Sequence, residues 1–440
     1  MIDFSGAYVK AARYLLPTPF TIAILLSLLV LGLCIFVGEN SLTESLSFWE
    51  KGLWKGNNFA FHCMYMLVIG HVIALSKPFE WLTDKLLAFI KNGATAAFFV
   101  TLLAVITGLI NWGLGLIIGA IFARKVGEHC KRKKIKASYP ILGAAGYAGL
   151  MVWHGGLSGS APLTISKNGH DLYDLMGVIS THKTLFSNLN LAATFLCLLL
   201  LPTLMYFVAR VNSRKSIEIA RATALKSNSS EKDILGIERL DASKWFSRVI
   251  GFGLLLYALY RLIDLSLNLN LAIINLTLFA VALLLHQNVN KMLQALDQAI
   301  VGASGILLQF PLYFGIMGMM NGGDLAKDLS DFFVSISSKS SLPIYTFFSA
   351  GILNIFVPSG GGQWAVQGPI IIDACKSLMV PLEKGIMAMC YGDQLTNMLQ
   401  PFWALPLLGI TGLKAKDILP YTLILMFGGL TIFISVLMIF

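Results

Sequence analysis

The sequence predicts an all-α polytopic membrane protein. It should have about nine spans plus two re-entrant hairpins, set as two inverted repeats that each hold a hairpin and a broken helix. Three observations lead there. The 440 residues are 56% hydrophobic and only 13% charged, too little charge to clothe a soluble globule of this length. Apolar runs of spanning length recur from end to end, from "FTIAILLSLLVLGLCIFVG" (Phe20 to Gly38) to "YTLILMFGGLTIFISVLMIF" (Tyr421 to Phe440). Two apolar regions are interrupted at their centres by polar, glycine-rich segments, and each is longer than one span.

In chain order, the segment "MIDFSGAYVKAARYLLPTP" reads as a short amphipathic entry without an A-x-A cleavage site. Spans are expected near 19–38 and 59–76. Residues 94–126 come next as a hairpin, with apolar arms broken at Asn111-Trp112-Gly113 and Gly115. Residues 139–164 form a span interrupted by "GLMVWHGGLSGSAPLT" (Gly149 to Thr164), and 187–209 a plain span. The hydrophilic stretch 210–248 is a linker. Spans at 248–266, 270–287 and 298–320 precede a second hairpin at 343–380, whose centre is "PSGGG" (Pro358 to Gly362). Three glycines after a proline are too poor in helix propensity for a plain span. A second interrupted span, 385–409, contains "YGDQLTNMLQPFWALP" (Tyr391 to Pro406), and 418–440 closes the chain. For "GYAGL" (Gly146 to Leu150) the favoured reading is close helix packing.

Charge sets the expected orientation. One face collects 24 Lys and Arg and the other 8, with Arg261 inside a span. The basic face should be cytoplasmic, the N-terminus inside and the C-terminus outside. The first hairpin then enters from the cytoplasm and the second from outside. The order hairpin, broken helix, plain helix occurs twice in opposite orientations, the layout of an inverted-repeat secondary transporter. The domains are therefore 1–209, the cytoplasmic linker 210–248, and 249–440, whose first span inverts the second half. The net charge of +10 lies in loops between spans, so nucleic acid is not expected as a partner; membrane lipid is. Six scattered cysteines without C-x-x-C (Cys34, Cys63, Cys130, Cys197, Cys375, Cys390) read as structural thiols.

Several segments resemble the bacterial short-chain fatty acid transporter family. They are "VPSGGGQWAVQGP" (Val357 to Pro369), "WHGGLSGSAPL" (Trp153 to Leu163), "INWGLGLI" (Ile110 to Ile117), "YGDQLTNMLQPFWALP" and "RYLLPTPFTIAILLSLLVL" (Arg13 to Leu31). The likeness covers nearly the whole chain and departs in the linker. It implies uptake of acetoacetate, butyrate and similar acids at the bacterial inner membrane. It also implies the paired hairpins and broken helices of the wider ion-transporter superfamily and, by analogy, a homodimer.

A short-chain fatty acid anion needs donors for two oxygens and a small apolar pocket. Broken helices supply N–H groups and a positive dipole end, and glycine lets backbone approach. Ser359, Gly360, Gly361, Gly362 and Gln363 are expected to line one wall, and Ser158, Gly159 and Ser160 another. Asn111, Thr396 and Asn397 complete a neutral polar ring. Trp112, Trp153, Trp364 and Trp403 are candidates to pack on the tail, with bundle packing or interface anchoring as the alternative. Ionisable groups inside spans are candidates by their rarity. Asp393 is expected to bind a proton or join a sodium site, with Asn111 and Asn397 as partners. His154 is expected to donate to the carboxylate or relay a proton, with a structural hydrogen-bonded role as the alternative. Arg261 and Asp264 are spaced to pair. His62 and His71 are nine residues apart, too far for an i, i+4 metal pair, and no metal or cofactor is expected beyond a co-transported H+ or Na+. Asp373 is placed near the outer surface. No Walker A, G-x-S-x-G or H-E-x-x-H motif occurs. The function expected is cation-coupled import by alternating access. Another small carboxylate (a dicarboxylate or acylated amino acid) or an uncoupled carboxylate channel stands as the alternative.

Overall fold

A computed structural model describes residues 18–55, 57–212, 236–264 and 271–440. The N-terminal entry segment, most of the 210–248 linker and the side chain of Asp264, with its expected pairing to Arg261, lie outside the described residues.

The described chain is helical, without strands. Five of its helices are long and apolar enough to cross a membrane: Pro19–Phe36, Gly93–Ile110, Asn188–Asn212, Lys244–Ile263 and Ala415–Ile439. Four of these match expected spans, whereas Gly93–Ile110 is an arm of the expected first hairpin; of the other five expected spans, 270–287 and the end of 385–409 fall on the shorter apolar helices Leu271–Leu285 and Pro401–Thr411. The expected span at 298–320 begins instead at Ser304, after a separate helix Val289–Ala299 that Asn288 caps through Lys291 N–H at 3.0 Å.

Residues 39–56, a loop by the sequence reading, contain the helix Leu42–Lys55. Its start is a capping box. Ser41 N–H donates to Glu44 at 2.9 Å and Glu44 N–H donates to Ser41 Oγ at 3.2 Å. The helix then crosses Ser304–Gly322 at Gly52 and Gly318, where a β-carbon on Gly52 would sit 2.7 Å from Gly318 Cα.

Gly93–Ile110 and Trp112–Arg132 fold back on each other about Asn111. A β-carbon on Gly115 would lie 2.5 Å from Gly108 Cα, and one on Gly119 3.2 Å from Ala104 Cβ. This hairpin packs on the first broken helix through the same small residues. A β-carbon on Gly146 would come within 2.5 Å of Gly119 O, and one on Gly149 would overlap Ala104 O. Close packing thus explains "GYAGL". The broken helix runs Tyr139–Tyr147, then short 3-10 turns to Gly155, an extended step at Gly156, and a last turn Ser160–Ile165.

The second hairpin pairs Leu342–Phe356 with Gly360–Ser377. The break falls at Val357, Pro358 and Ser359, and the three glycines are the first turn of the next helix rather than the loop. Ser359 caps that turn, accepting from Gly362 N–H at 3.2 Å, which offsets the glycines' low helix propensity. The arm Leu342–Phe356 packs on the second broken helix (Leu382–Thr396, a 3-10 turn Asn397–Leu399, then Pro401–Thr411), where Gly392 fits against the Phe347 carbonyl.

Candidate functional site

A cavity of about 210 Å³ lies where all four interrupted elements meet. Trp112 comes from the first hairpin and Leu150, Trp153, Ser158 and Ser160 from the first broken helix. Ser359, Gly360 and Gly361 come from the second hairpin and Trp403 from the second broken helix. None of these lining residues is charged. Three hydroxyls and the start of a helix provide the polarity, since the N–H groups of a helix's first turn have no intrahelical acceptor. Indole and leucine provide the apolar wall, with Trp112 and Trp403 edge to face at 5.0 Å between ring centroids.

The fit around Gly360 is tight. A β-carbon there would stand 2.7 Å from His154 Cε1, from Ser160 Oγ and from Trp153 Cη2. Glycine is needed here because the second hairpin's tip rests directly on the break of the first half. The two elements of the first half are tied as well: Ser158 Oγ accepts from Trp112 N–H at 3.0 Å, and Leu157 N–H donates to Leu109 O at 2.7 Å.

Behind this wall His154 and Asp393 meet, 2.6 Å apart between Nδ1 and Oδ2, and both are buried. Ala161 N–H donates to His154 Nε2 at 3.2 Å. A backbone N–H can only donate, so Nε2 is the accepting nitrogen, the ring proton sits on Nδ1, and the Asp393 oxygen accepts it. Ser160 Oγ also lies 3.2 Å from Nε2. Serine, histidine and aspartate thus stand in the order of a hydrolase triad. The imidazole lone pair is already engaged by Ala161, so the ring is not set to strip a proton from Ser160. Trp153 stacks on the ring at 4.4 Å, and Gln394 Oε1 accepts His154 N–H at 3.0 Å and Gly155 N–H at 3.3 Å. Sequence alone missed Gln394, although the polar density of "DQLTNMLQ" signals such a clamp.

Of the residues expected at the site, the cavity collects Trp112, Trp153, Ser158, Ser160, Ser359, Gly360, Gly361 and Trp403. His154 and Asp393 stand immediately behind it. The others are placed elsewhere. Asn111 turns back to cap its own helix, accepting from Gly113 N–H at 2.8 Å and Leu114 N–H at 3.2 Å. Gly159 is pressed against the His154 carbonyl. Gly362 is tied to Ser359. Gln363 reaches away from the cavity to Ala350 O at 2.9 Å and Gln367 at 2.8 Å, and Trp364 is buried beside Gly368. Thr396 and Asn397 belong to a buried knot organised by Asn354, whose Nδ2 lies 2.6 Å from Asp393 O and 3.0 Å from both Thr396 Oγ1 and Asn397 Oδ1. Tyr147 and Gln400 close the knot through Asn397 O and Asn354 O. Asn354 is the second residue that sequence missed; nothing in "GILNIF" separates it from a packed span residue. Among the described residues, no three His, Cys, Asp or Glu side chains gather to hold a metal ion.

The chain as a whole is similar to known proteins. The chain is 34% identical over 423 residues to an Escherichia coli K12 protein assigned as a short-chain fatty acid transporter, covering 94% of each. It is 32% identical over 431 residues to a Haemophilus influenzae protein with the same assignment, covering 95% of each. Among solved structures it resembles the Alcanivorax borkumensis YdaH transporter (16% identity, TM-score 0.40, 95% of this chain and 98% of that one). It also resembles the Neisseria gonorrhoeae efflux pump MtrF (14% identity, TM-score 0.36, 97% of each). Neither structural likeness is close enough to bear on the site. The sequence profile of the short chain fatty acid transporter family matches residues 1–440 from end to end, and the chain belongs to that family of membrane transporters, which are not enzymes.

Proposed function

We propose that this protein imports short-chain fatty acid anions such as acetoacetate and butyrate across the bacterial cytoplasmic membrane, by cation-coupled alternating access between two inverted repeats. The observation that carries the proposal is the cavity itself, walled by both hairpins and both broken helices. A ligand held there touches both halves, 1–209 and 249–440, so a rocking of one half against the other would change which side it faces.

Size and lining favour a small monocarboxylate. About 210 Å³ is below the roughly 300–1,000 Å³ of sites for drug-sized ligands. Ser158, Ser160, Ser359 and the Gly360–Gly361 backbone offer donors to one carboxylate, and Leu150 with the indoles receives a short tail. Among the described residues, no cationic side chain lines the cavity to receive the second charge of a dicarboxylate.

Coupling rests on electrostatics. Moving an anion inward against an inside-negative potential costs about 2.3 kcal/mol per charge per 100 mV, and one co-transported cation removes that cost. The basic linker side faces the cytoplasm in this reading, with the C-terminus outside.

Uptake of labelled acetoacetate into proteoliposomes, with a proton gradient, a sodium gradient or neither, tests the proposal. Accumulation should require one of the gradients. Equal uptake without either would make the protein an uncoupled channel, and competition by succinate as strong as by butyrate would sink the monocarboxylate assignment.

A further inference from the structure

We infer that the coupling cation is a proton carried on Nε2 of His154, with Asp393 acting through the imidazole as a positioning residue rather than as an ion ligand. This rests on the cation-coupled reading above and names its cation.

The hydrogen bonds fix the resting state. With Nε2 accepting from Ala161 N–H and Nδ1–H donating to Asp393, the pair carries one buried negative charge. Asp393 does not line the cavity; its path to the cavity runs through the imidazole to Ser160, which does. Among the described residues, the titratable groups facing the ring are Asp393 and Cys390, both from the second broken helix. Its other neighbours are uncharged: Ser160 and Trp153 from the first broken helix, Gly360 from the second hairpin, and Gln394 at its backbone.

A carboxylate entering the cavity meets the negative charge of this pair. Like charges at short range disfavour joint occupancy. A proton taken from the outer solution onto Nε2 makes the pair neutral overall, an imidazolium on a carboxylate. The new Nε2–H has an acceptor already in reach, Ser160 Oγ at 3.2 Å. Forming that bond displaces Ala161 N–H and leaves the serine O–H directed to the substrate. Proton and carboxylate therefore favour each other's binding, and the favour is reciprocal. The cargo, one H+ and one carboxylate, is electrically neutral. On the inner side the proton leaves Nε2 to water and Ala161 returns. No bond other than N–H is made or broken.

Calorimetric titration of the purified full-length protein with acetoacetate, in buffers of different ionisation enthalpy, counts the protons. One proton should be taken up per carboxylate bound, with affinity falling roughly tenfold per pH unit on the alkaline side. His154→Gln should bind without proton uptake and with a flat pH profile. Asp393→Asn should move the profile by more than one pH unit, and Asp393→Glu should return it. In proteoliposomes, with protein-free vesicles as the correction for passive entry, a pH gradient alone should drive accumulation and a sodium gradient alone should not. Binding that needs sodium, with no proton uptake by the wild type, would overturn the inference while leaving symport intact. Gradient-independent uptake would remove symport itself. The wild-type proton count decides even if the variants fail to fold.

Discussion

The two hairpin tips share a plan and differ in use. Each turns at a polar residue that caps the next helix: Asn111 through Gly113 and Leu114, Ser359 through Gly362. At the first tip the cap is consumed locally, the next N–H is held by Ser158, and only the Trp112 ring reaches the cavity. At the second, Ser359 and two glycines are themselves the cavity wall. Similar turn chemistry therefore gives an apolar lid on one side and a donor surface on the other. The difference lies in the residue next to the cap: a tryptophan, whose ring fills space, or a glycine, whose backbone can be approached.

The most damaging way to break this contrast is a methyl group on the donor surface. Gly360→Ala forces a β-carbon against three side-chain atoms at 2.7 Å. Overpacking of this kind costs about 1–3 kcal/mol. Spent on the geometry of the bound state, that is roughly a 5- to 160-fold loss in kcat/KM. Acetoacetate uptake at matched protein levels in the membrane measures it; near-normal uptake would show that the second tip does not contact the cargo.

Opening the apolar lid should change selectivity more than rate. Trp403→Ala removes one partner of the 5.0 Å Trp112–Trp403 pair and lengthens the apolar wall. Each methylene newly buried is worth about 0.8 kcal/mol, roughly fourfold in affinity. Competition by butyrate, hexanoate and octanoate should shift toward the longer acids in that order. An unchanged ranking would place the tail elsewhere.

Ser359→Ala sits between the two roles. It removes a cap worth about 1 kcal/mol and one of three hydroxyls facing the cavity, so KM should rise severalfold alongside a modest loss of thermal stability. A fall in melting temperature with KM unchanged would make Ser359 a cap alone.

Much of this was legible in the sequence, for reasons tied to particular residues. Helix-breaking chemistry is local, so "INWGLG" and "PSGGG" mark both tips, and "WHGGLSGSAP" and "YGDQLTNMLQP" both broken helices. Local chemistry also marks the capping box Ser41-Leu42-Thr43-Glu44, but its short helix is too polar to read as a span. The place of the glycines inside a helix is hidden from propensity, which counts them against one, whereas Ser359 supplies the bond that starts it. Contacts between distant residues have no local signature. His154 and Asp393 are 239 positions apart, and their rarity inside spans marks them singly, not as a pair. The direction of a side chain is likewise hidden: Asn111, Gln363 and Asn397 are polar residues at breaks, yet each satisfies backbone or a neighbouring amide rather than the cavity.

The smallest transport effect is expected at the first tip, and it sharpens the contrast most. A β-carbon on Gly113 would stand 2.6 Å from Met66 Sδ and 2.7 Å from Met66 Cε, the far end of a flexible side chain that can give way. Asn111→Ala removes the cap on Gly113 and Leu114 N–H, about 1 kcal/mol with a range of roughly 0.5–2. Both changes act on helix start and packing, outside the lining of the cavity. Gly113→Ala should therefore leave KM for acetoacetate within about twofold, and Asn111→Ala should lower the melting temperature of the purified protein while its KM stays similarly close to wild type. If Asn111→Ala instead raised KM as much as Ser359→Ala, the two tips would contribute equally to binding, and the cavity would have to extend behind Trp112 to the amide that this structure holds against its own helix.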